Sequence, residues 1–226
     1  MPYIEKEKVD ERTRLKLEAI IEKSYLSYWR KKRLFDIFFA SLILLFFLPL
    51  MIIIAIVIVI DDPKAGPFFK QKRVGRHGKE FYMYKFRTMH PNAEQLLDQL
   101  KANNEMDGPV FKIKNDPRIT RVGKILRKLS LDELMQFFNV LNGSMTLVGP
   151  RPPLPGEVAY YTDYQKLRLL VTPGITCTWQ IHENRNDVPF EEWVEMDLEY
   201  IQHRTFPGDL LIMLKTPIVM LSATGR

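Results

Sequence analysis

The chain of 226 residues is poor in the residues that build disulfide or metal scaffolds. It has a single cysteine, Cys177, so no intramolecular disulfide and no cysteine-cluster metal site can form. Its four histidines, His77, His90, His182 and His203, are scattered outside any His-Glu-x-x-His pattern, which argues against a zinc site. There is no Walker-type loop and no Gly-x-Gly-x-x-Gly, so the usual nucleotide-binding signatures are missing. Internal repeats and low-complexity runs are also missing. Acidic residues are the minority, 27 against 33 basic, for a net charge of +6. That balance favours anionic partners such as phospholipid, nucleic acid or a phosphorylated substrate. With 46% hydrophobic and 27% charged residues, the chain is neither a disordered tail nor a polytopic membrane protein.

Charge is absent altogether from Ile37 to Ile60, a run of 24 residues in which Ser41 is almost the only polar group. As a helix this run is roughly 36 Å long, against a hydrocarbon core of about 30 Å, so it can enter a bilayer fully. It is not expected to be a cleavable signal peptide, because a long charged segment precedes it and no small-residue cleavage site follows. Pro49 stands near its middle, where it removes a backbone hydrogen bond and is expected to break the helix. Each half, Ile37–Leu48 and Leu50–Ile60, is then about half a bilayer long. Arg30, Lys31, Lys32 and Arg33 precede the run. Behind it, Lys64, Lys70, Lys72, Arg73, Arg76, Lys79 and Lys85 face a single acid, Glu80. Positive charge is retained on the cytoplasmic side, so a hairpin that re-enters satisfies both flanks, whereas a single kinked spanning helix leaves one flank misplaced.

The first thirty residues carry Leu17, Ile20, Ile21, Ser24, Tyr25 and Tyr28 at helical spacing, with Trp29 beside the basic cluster as an interfacial anchor. A solvated helix resting on the globular part fits the same pattern. The expected organisation is therefore an N-terminal amphipathic helix (1–33), a re-entrant membrane helix broken at Pro49 (34–60) and a cytoplasmic catalytic domain (61–226). Within the last, Phe81–Phe86 predicts a strand, and Asn92–Asn103, Ser130–Leu141, Tyr160–Leu170 and Phe190–Gln202 predict helices. Leu210–Leu221 is too short to span and is expected as a core or interfacial helix. The fold class expected is α/β, dominated by helices, with few short strands and amphipathic surface helices.

The chemistry concentrates around Asp132 and Glu133. Ser130 followed by Glu133 has the spacing of a capping box, which would leave the acids a structural role. The surroundings point elsewhere. Adjacent carboxylates at a helix start lie close to Arg118, Arg121, Lys124, Arg127 and Lys128, and Gly149-Pro150-Arg151-Pro152-Pro153 fixes a further arginine downstream. Arginines at a helix start suit phosphate, and carboxylates beside phosphate commonly hold Mg²⁺ or attack phosphorus to form an acyl phosphate. Lone features have plainer readings. Cys177 is a small core residue, the aromatics from Phe68 to Tyr84 are core, and Lys70–Arg76 is a solvated or lipid-facing surface.

Several longer stretches then resemble the bacterial sugar transferases, monotopic phosphoglycosyl transferases that act on polyprenol phosphate. These stretches are Lys31–Asp36, Lys85–Met89, Asn115–Thr120, Ser130–Leu134, Asn139–Pro152 and Pro173–Thr176, and the similarity covers about residues 30 to 220. The resemblance implies transfer of a hexose-1-phosphate from a UDP-sugar to undecaprenyl phosphate with release of UMP. This is the first membrane step of exopolysaccharide, capsule or O-antigen synthesis. It maps the nucleophile onto Asp132, with Glu133 assisting Mg²⁺ and both acids as metal ligands. It places Arg127 and Arg151, with Lys85 and Arg87, at the substrate phosphates. It also implies the re-entrant topology, the bacterial inner membrane as location with the catalytic domain on the cytoplasmic face, contact with membrane lipids and no nucleic acid. Homodimerisation stays open. Here His182–Asp187 replaces a shorter Ser-Gly-Arg-Asn-Asp turn, and Cys177 stands where glycine is frequent, which touches sugar specificity rather than chemistry. The competing function is a non-catalytic, membrane-tethered module whose basic face binds anionic lipid or nucleic acid.

Overall fold

The computed structural model describes residues 11–64, 66–93, 95–96, 113, 116–182 and 188–222. Most of the helix expected at Asn92–Asn103, and positions 183–187 of the variant turn, lie outside the described residues. The first element is a single helix, α1 (Glu11–Asp61), of 51 residues. The expected boundary at residue 33 and the expected break at Pro49 are both absent, because helical backbone runs through each. No helix breaker stands near residue 33, and the pair Lys32–Asp36, one turn apart at 2.9 Å, bridges the boundary. At Pro49 one backbone bond is lost, yet the face that packs on the domain continues across it through Ala40, Leu44, Met51, Ile54 and Ile58, all buried. Pro49 itself is exposed. The opposite face, including Leu45, Phe46, Ile53, Ile56 and Ile60, is more than half exposed. Among the described residues one helix is long and apolar enough to cross a membrane, and its apolar part is Tyr28–Asp61.

After α1 come β1 (Phe68–Val74) and β2 (Glu80–Phe86), paired antiparallel with Phe68 opposite Phe86 and Val74 opposite Glu80. The strand expected at 81–86 is thus present. Its partner β1 lies in the basic run that the sequence presented as surface, and at its end Arg73 and Val74, on opposite faces of the strand, are both buried. Then follow α2 (Arg121–Lys128), a 3-10 turn (Leu131–Met135), α3 (Gln136–Asn142) and β3 (Thr146–Val148). Two short helices, α4 (Pro155–Val158) and α5 (Asp163–Lys166), lead to β4 (Gly174–Thr176), which pairs parallel with β3. The last described elements are α6 (Phe190–His203) and α7 (Phe206–Ser222). Helix dominance and few short strands are as expected. Cys177 is buried, as expected for a core residue.

Three apolar clusters hold these parts. One gathers α6, the segment before β4 and Ile21 of α1 around the stacked rings of Trp179 and Trp193, 4.2 Å apart. The second joins Ala40 of α1 to Met83, Val140, Met145, Leu147, Val148 and Ile212. The third seats Leu44, Met51, Ile54 and Ile58 on Phe86 and Leu126. A buried polar knot fixes where α1 meets the domain. Lys32 is held by Asp36 and by Asp209 of α7 at 3.0 Å. Asp36 accepts from Thr146 Oγ1 at 2.5 Å, and Asp209 accepts from the hydroxyls of Tyr28 at 2.6 Å and Tyr200 at 2.8 Å. Buried charges need partners of this kind, and here each carboxylate has several.

Candidate active site

The acid pair sits on the 3-10 turn between α2 and α3. Thr120 caps α2 by accepting from the Gly123 N–H at 2.9 Å, and the helix ends at Lys128. Ser130 then takes a left-handed conformation, φ 53° and ψ 22°, with no side-chain cap. The capping box is therefore not formed. An N-cap needs extended backbone, whereas Ser130 serves the reversal that leaves α2, its N–H donating to the Arg127 carbonyl at 3.1 Å. A non-glycine residue in this conformation is strained, and such strain gathers at functional sites. Directly beyond it, Asp132 is 6% exposed, while Leu131, Leu134 and Met135 pack into the cluster that contains α1.

Lys85, on the same face of β2 as the buried Met83, reaches both acids. Its ammonium lies 2.6 Å from Glu133 Oε1 and 3.7 Å from Asp132 Oδ2. The two carboxyls are pushed apart in acidity. For Asp132, burial outweighs the attraction of Lys85, and with repulsion from Glu133 its carboxyl titrates above the ordinary aspartate range. For Glu133, burial acts in the same sense but loses to Lys85, Arg151 and Arg73, so its carboxyl titrates below the ordinary glutamate range. Paired acids separated in this way divide their roles at an active site.

Arg127, at the end of α2, donates through Nε to Thr88 Oγ1 at 2.9 Å and attracts Asp132. Arg151 follows β3, with its guanidinium 5.9 Å above the ring of Trp193 and its charge felt by Glu133. Two glycines set that loop. A Cβ on Gly174 would lie 2.1 Å from the Gly149 nitrogen, and one on Gly149 would lie 2.7 Å from the Thr172 carbonyl. Only glycine allows β3 and β4 to approach this closely where the Arg151 loop begins. Arg87 is not brought to the acids. Its guanidinium donates to the carbonyls of Gly66 at 2.8 Å and Phe68 at 3.2 Å, holding the chain ahead of β1.

Arg73 was hidden in the basic run. It is buried, donates to the Pro152 carbonyl at 2.8 Å beside Arg151, and is felt by Glu133. Burial, aided by Arg151, pulls its guanidinium down to about 10, still cationic at neutral pH. No local signal in Phe68–Val74 sets it apart from the neighbouring Lys70 and Lys72. Behind Arg127, the Asp116 carboxylate accepts from the Arg118 guanidinium, most closely at 2.6 and 2.9 Å, and from its backbone N–H at 3.0 Å.

Among the described residues no group of three acidic, histidine or cysteine side chains is assembled for a metal. Two hard carboxylates are nonetheless the donor set Mg²⁺ takes when phosphate oxygens and waters complete its shell. The position of Lys85 between the two acids shows that they already accept a cation there.

Buried Asp132 and half-buried Glu133 thus stand within the electrostatic reach of Lys85, Arg127, Arg151 and Arg73, beside a helix long and apolar enough to cross a membrane. The chain belongs to the bacterial sugar transferase family, which it matches over residues 27–223. It is 48% identical over 162 residues to the galactosyl transferase CpsE of Streptococcus agalactiae, covering 71% of this chain and 36% of that protein. It is 46% identical over 169 residues to the undecaprenyl-phosphate galactose phosphotransferase of Salmonella typhimurium, covering 71% and 35%. The exopolysaccharide production protein ExoY of Rhizobium meliloti is 40% identical over 196 residues, covering 84% and 86%. The matched region is about a third of the length of the first two relatives.

Proposed function

We propose that the protein transfers a hexose-1-phosphate from a UDP-sugar to undecaprenyl phosphate by two successive displacements at phosphorus. A carboxylate oxygen of Asp132 attacks the phosphorus that carries the sugar. The bond from that phosphorus to the bridging oxygen breaks, UMP leaves with the electron pair, and an aspartyl phosphosugar remains. An oxygen of the acceptor phosphate then attacks the same phosphorus, and the bond to Asp132 breaks to restore its carboxylate. Lys85, Arg127, Arg151 and Arg73 surround the charge spread over the transferred phosphoryl oxygens and stabilise it more as the transition state is approached. Glu133 stays ionised beside Lys85 and keeps that ammonium oriented. Mg²⁺, held by Glu133 and Asp132 when bound, would neutralise the diphosphate of the donor.

One observation carries this reading: the acids occupy a turn whose apolar residues, Leu131 and Leu134, pack with the apolar face of α1. A group so placed meets a phosphate at headgroup depth, where a polyprenol phosphate presents it. The family's relatives named for undecaprenyl-phosphate transfer support the same acceptor. We also propose that α1 enters the membrane and returns, Pro49 bending the helix without ending it, with the domain on the cytoplasmic face of the bacterial inner membrane. In support, the same folded unit holds both ends of the apolar run. Arg33 donates to the carbonyls of Val140 and Leu141 in front of it, and Asp61 accepts from the Val122 N–H behind it. Purified protein in vesicles should release UMP from one member of a UDP-sugar panel only when polyprenol phosphate and Mg²⁺ are present. Asp132→Asn should abolish that release while leaving the thermal midpoint within a few degrees; an active Asp132→Asn protein refutes the nucleophile.

A further inference from the structure

Asn139 is 1% exposed, and nothing in the chemistry above uses it. It stands on α3, six residues beyond Glu133, in the same short unit that carries both acids. Its amide nitrogen donates to the Tyr82 carbonyl at 2.7 Å, and its amide oxygen accepts from the Tyr84 N–H at 2.9 Å. Residues 82 and 84 are two apart on β2, so these backbone groups point the same way. That way is outward from the hairpin, because the Arg87 N–H, three residues on and of opposite phase to 84, donates across to the Pro67 carbonyl on the β1 side. The carboxamide of Asn139 thus occupies the open edge of β2 as one peptide group of a further strand would. Its remaining amide hydrogen goes to Ser144 Oγ at 3.0 Å, which fixes the plane of the amide.

We infer that Asn139 is a positioning residue for the reacting groups: by gripping the backbone on both sides of Met83 it locks β2, and with it Lys85, against the element that carries Asp132 and Glu133. The inference rests on the transferase reading above. Met83 and Phe86, both buried, set how deeply the strand lies. Burial alone does not resist sliding along the strand. A slide of one residue would put Phe86 or Tyr84 where Lys85 now meets Glu133 at 2.6 Å. Asn139 resists such a slide because it would bring up the carbonyls and N–H groups of 81, 83 and 85, which point to β1, and would leave the 82 and 84 groups at a buried edge unpaired. Asn139 bonds to neither acid, so its influence passes through Lys85.

The test is a double-mutant cycle on UMP release by the full-length protein in vesicles. Asn139→Ala should lower kcat/KM about tenfold or more in the wild-type background, because sub-ångström misplacement of a charged group is costly in rate. In a Lys85→Met background the same change should cost less than about twofold. Ser144→Ala, which keeps both bonds to β2, should stay within about threefold of wild type. Equal loss from Asn139→Ala in both backgrounds is what a merely structural residue gives, and it overturns the inference. Asn139→Asp, which keeps the size and the acceptor for Tyr84, runs the same cycle if the alanine variant does not fold. The cycle is also read on the Kd of the UDP-sugar, so a Lys85→Met protein without measurable turnover still reports, and additive losses there count against the inference. A wild-type protein that releases no UMP overturns the transferase reading and this inference together, whereas an active wild type with multiplicative losses overturns only this inference.

Discussion

Asp132 and Glu133 are neighbours in sequence with opposite electrostatic fates. Burial raises the first, and Lys85 with two arginines lowers the second. The sign of the pH dependence follows. Asp132 attacks only when ionised, and its pKa lies above the ordinary value of 3.8, so activity should fall with acid at a higher pH than a free aspartate would give. Lys85 opposes the rise, so Lys85→Met should move the acid limb of kcat/KM to still higher pH. A pH–rate profile of both proteins checks this, and an acid limb unmoved by Lys85→Met would contradict the pairing. Asp132 and Glu133 were legible from sequence because an acid pair stands out among basic residues. Arg73 was not, because nothing local tells a buried arginine from its solvated neighbours Lys70 and Lys72. Arg87, beside Lys85 in the same motif, reads as a phosphate ligand in sequence, and in the fold its Nε and Nη2 donate to the Gly66 and Phe68 carbonyls.

At the scale of elements, the loop that presents Arg151 depends on two strands too close for side chains. Gly174→Ala would drive a Cβ to within 2.1 Å of backbone that cannot yield. It should destabilise by about 3 kcal/mol or more, lowering the thermal midpoint and transfer activity together. Gly156, in α4, has nothing within 4 Å of its added Cβ. Gly156→Ala should therefore be neutral or stabilising by about 0.5 kcal/mol, by restricting the unfolded chain. Denaturant melts of the two variants check the contrast. Helix α6 matched its sequence pattern almost to the residue, because its apolar period is uninterrupted. The short α2 was hidden, since Val122 and Leu126 are spaced among basic residues that read as surface charge. The expected break at Pro49 failed for a tertiary reason: one lost backbone bond is outweighed by the packing of Leu44, Met51, Ile54 and Ile58 on the domain.

For the whole molecule, the question is how a single helix of 51 residues shares itself between lipid and protein. Its buried stripe faces the domain, and its other face is apolar and open. Helix α7 continues this surface through Phe206, Leu211, Leu214 and Ile218, all more than 40% exposed, and Phe206 touches Phe35 of α1. Scattered exposed apolar residues are ordinary, but a continuous face of this size marks an interaction surface. If α1 enters and returns, Lys31→Cys and Lys64→Cys, both at exposed positions, should react with a membrane-impermeant maleimide from the same side of oriented vesicles. Cys177 is buried and should stay silent. Labelling from opposite sides would establish a spanning helix instead.

The sequence by itself determined the apolar run, the basic flanks and the acid pair, because hydrophobicity and charge are properties of residues and survive without a fold. It also determined helix dominance, since period and length are local. Only the tertiary structure decided that Ser130 is strained rather than capping, that Arg73 joins the site while Arg87 leaves it, and that Lys85 stands between the two acids. Each of those depends on which distant backbone comes near, and proximity across 48 residues, the separation of Lys85 and Glu133, is set by packing that no local pattern encodes.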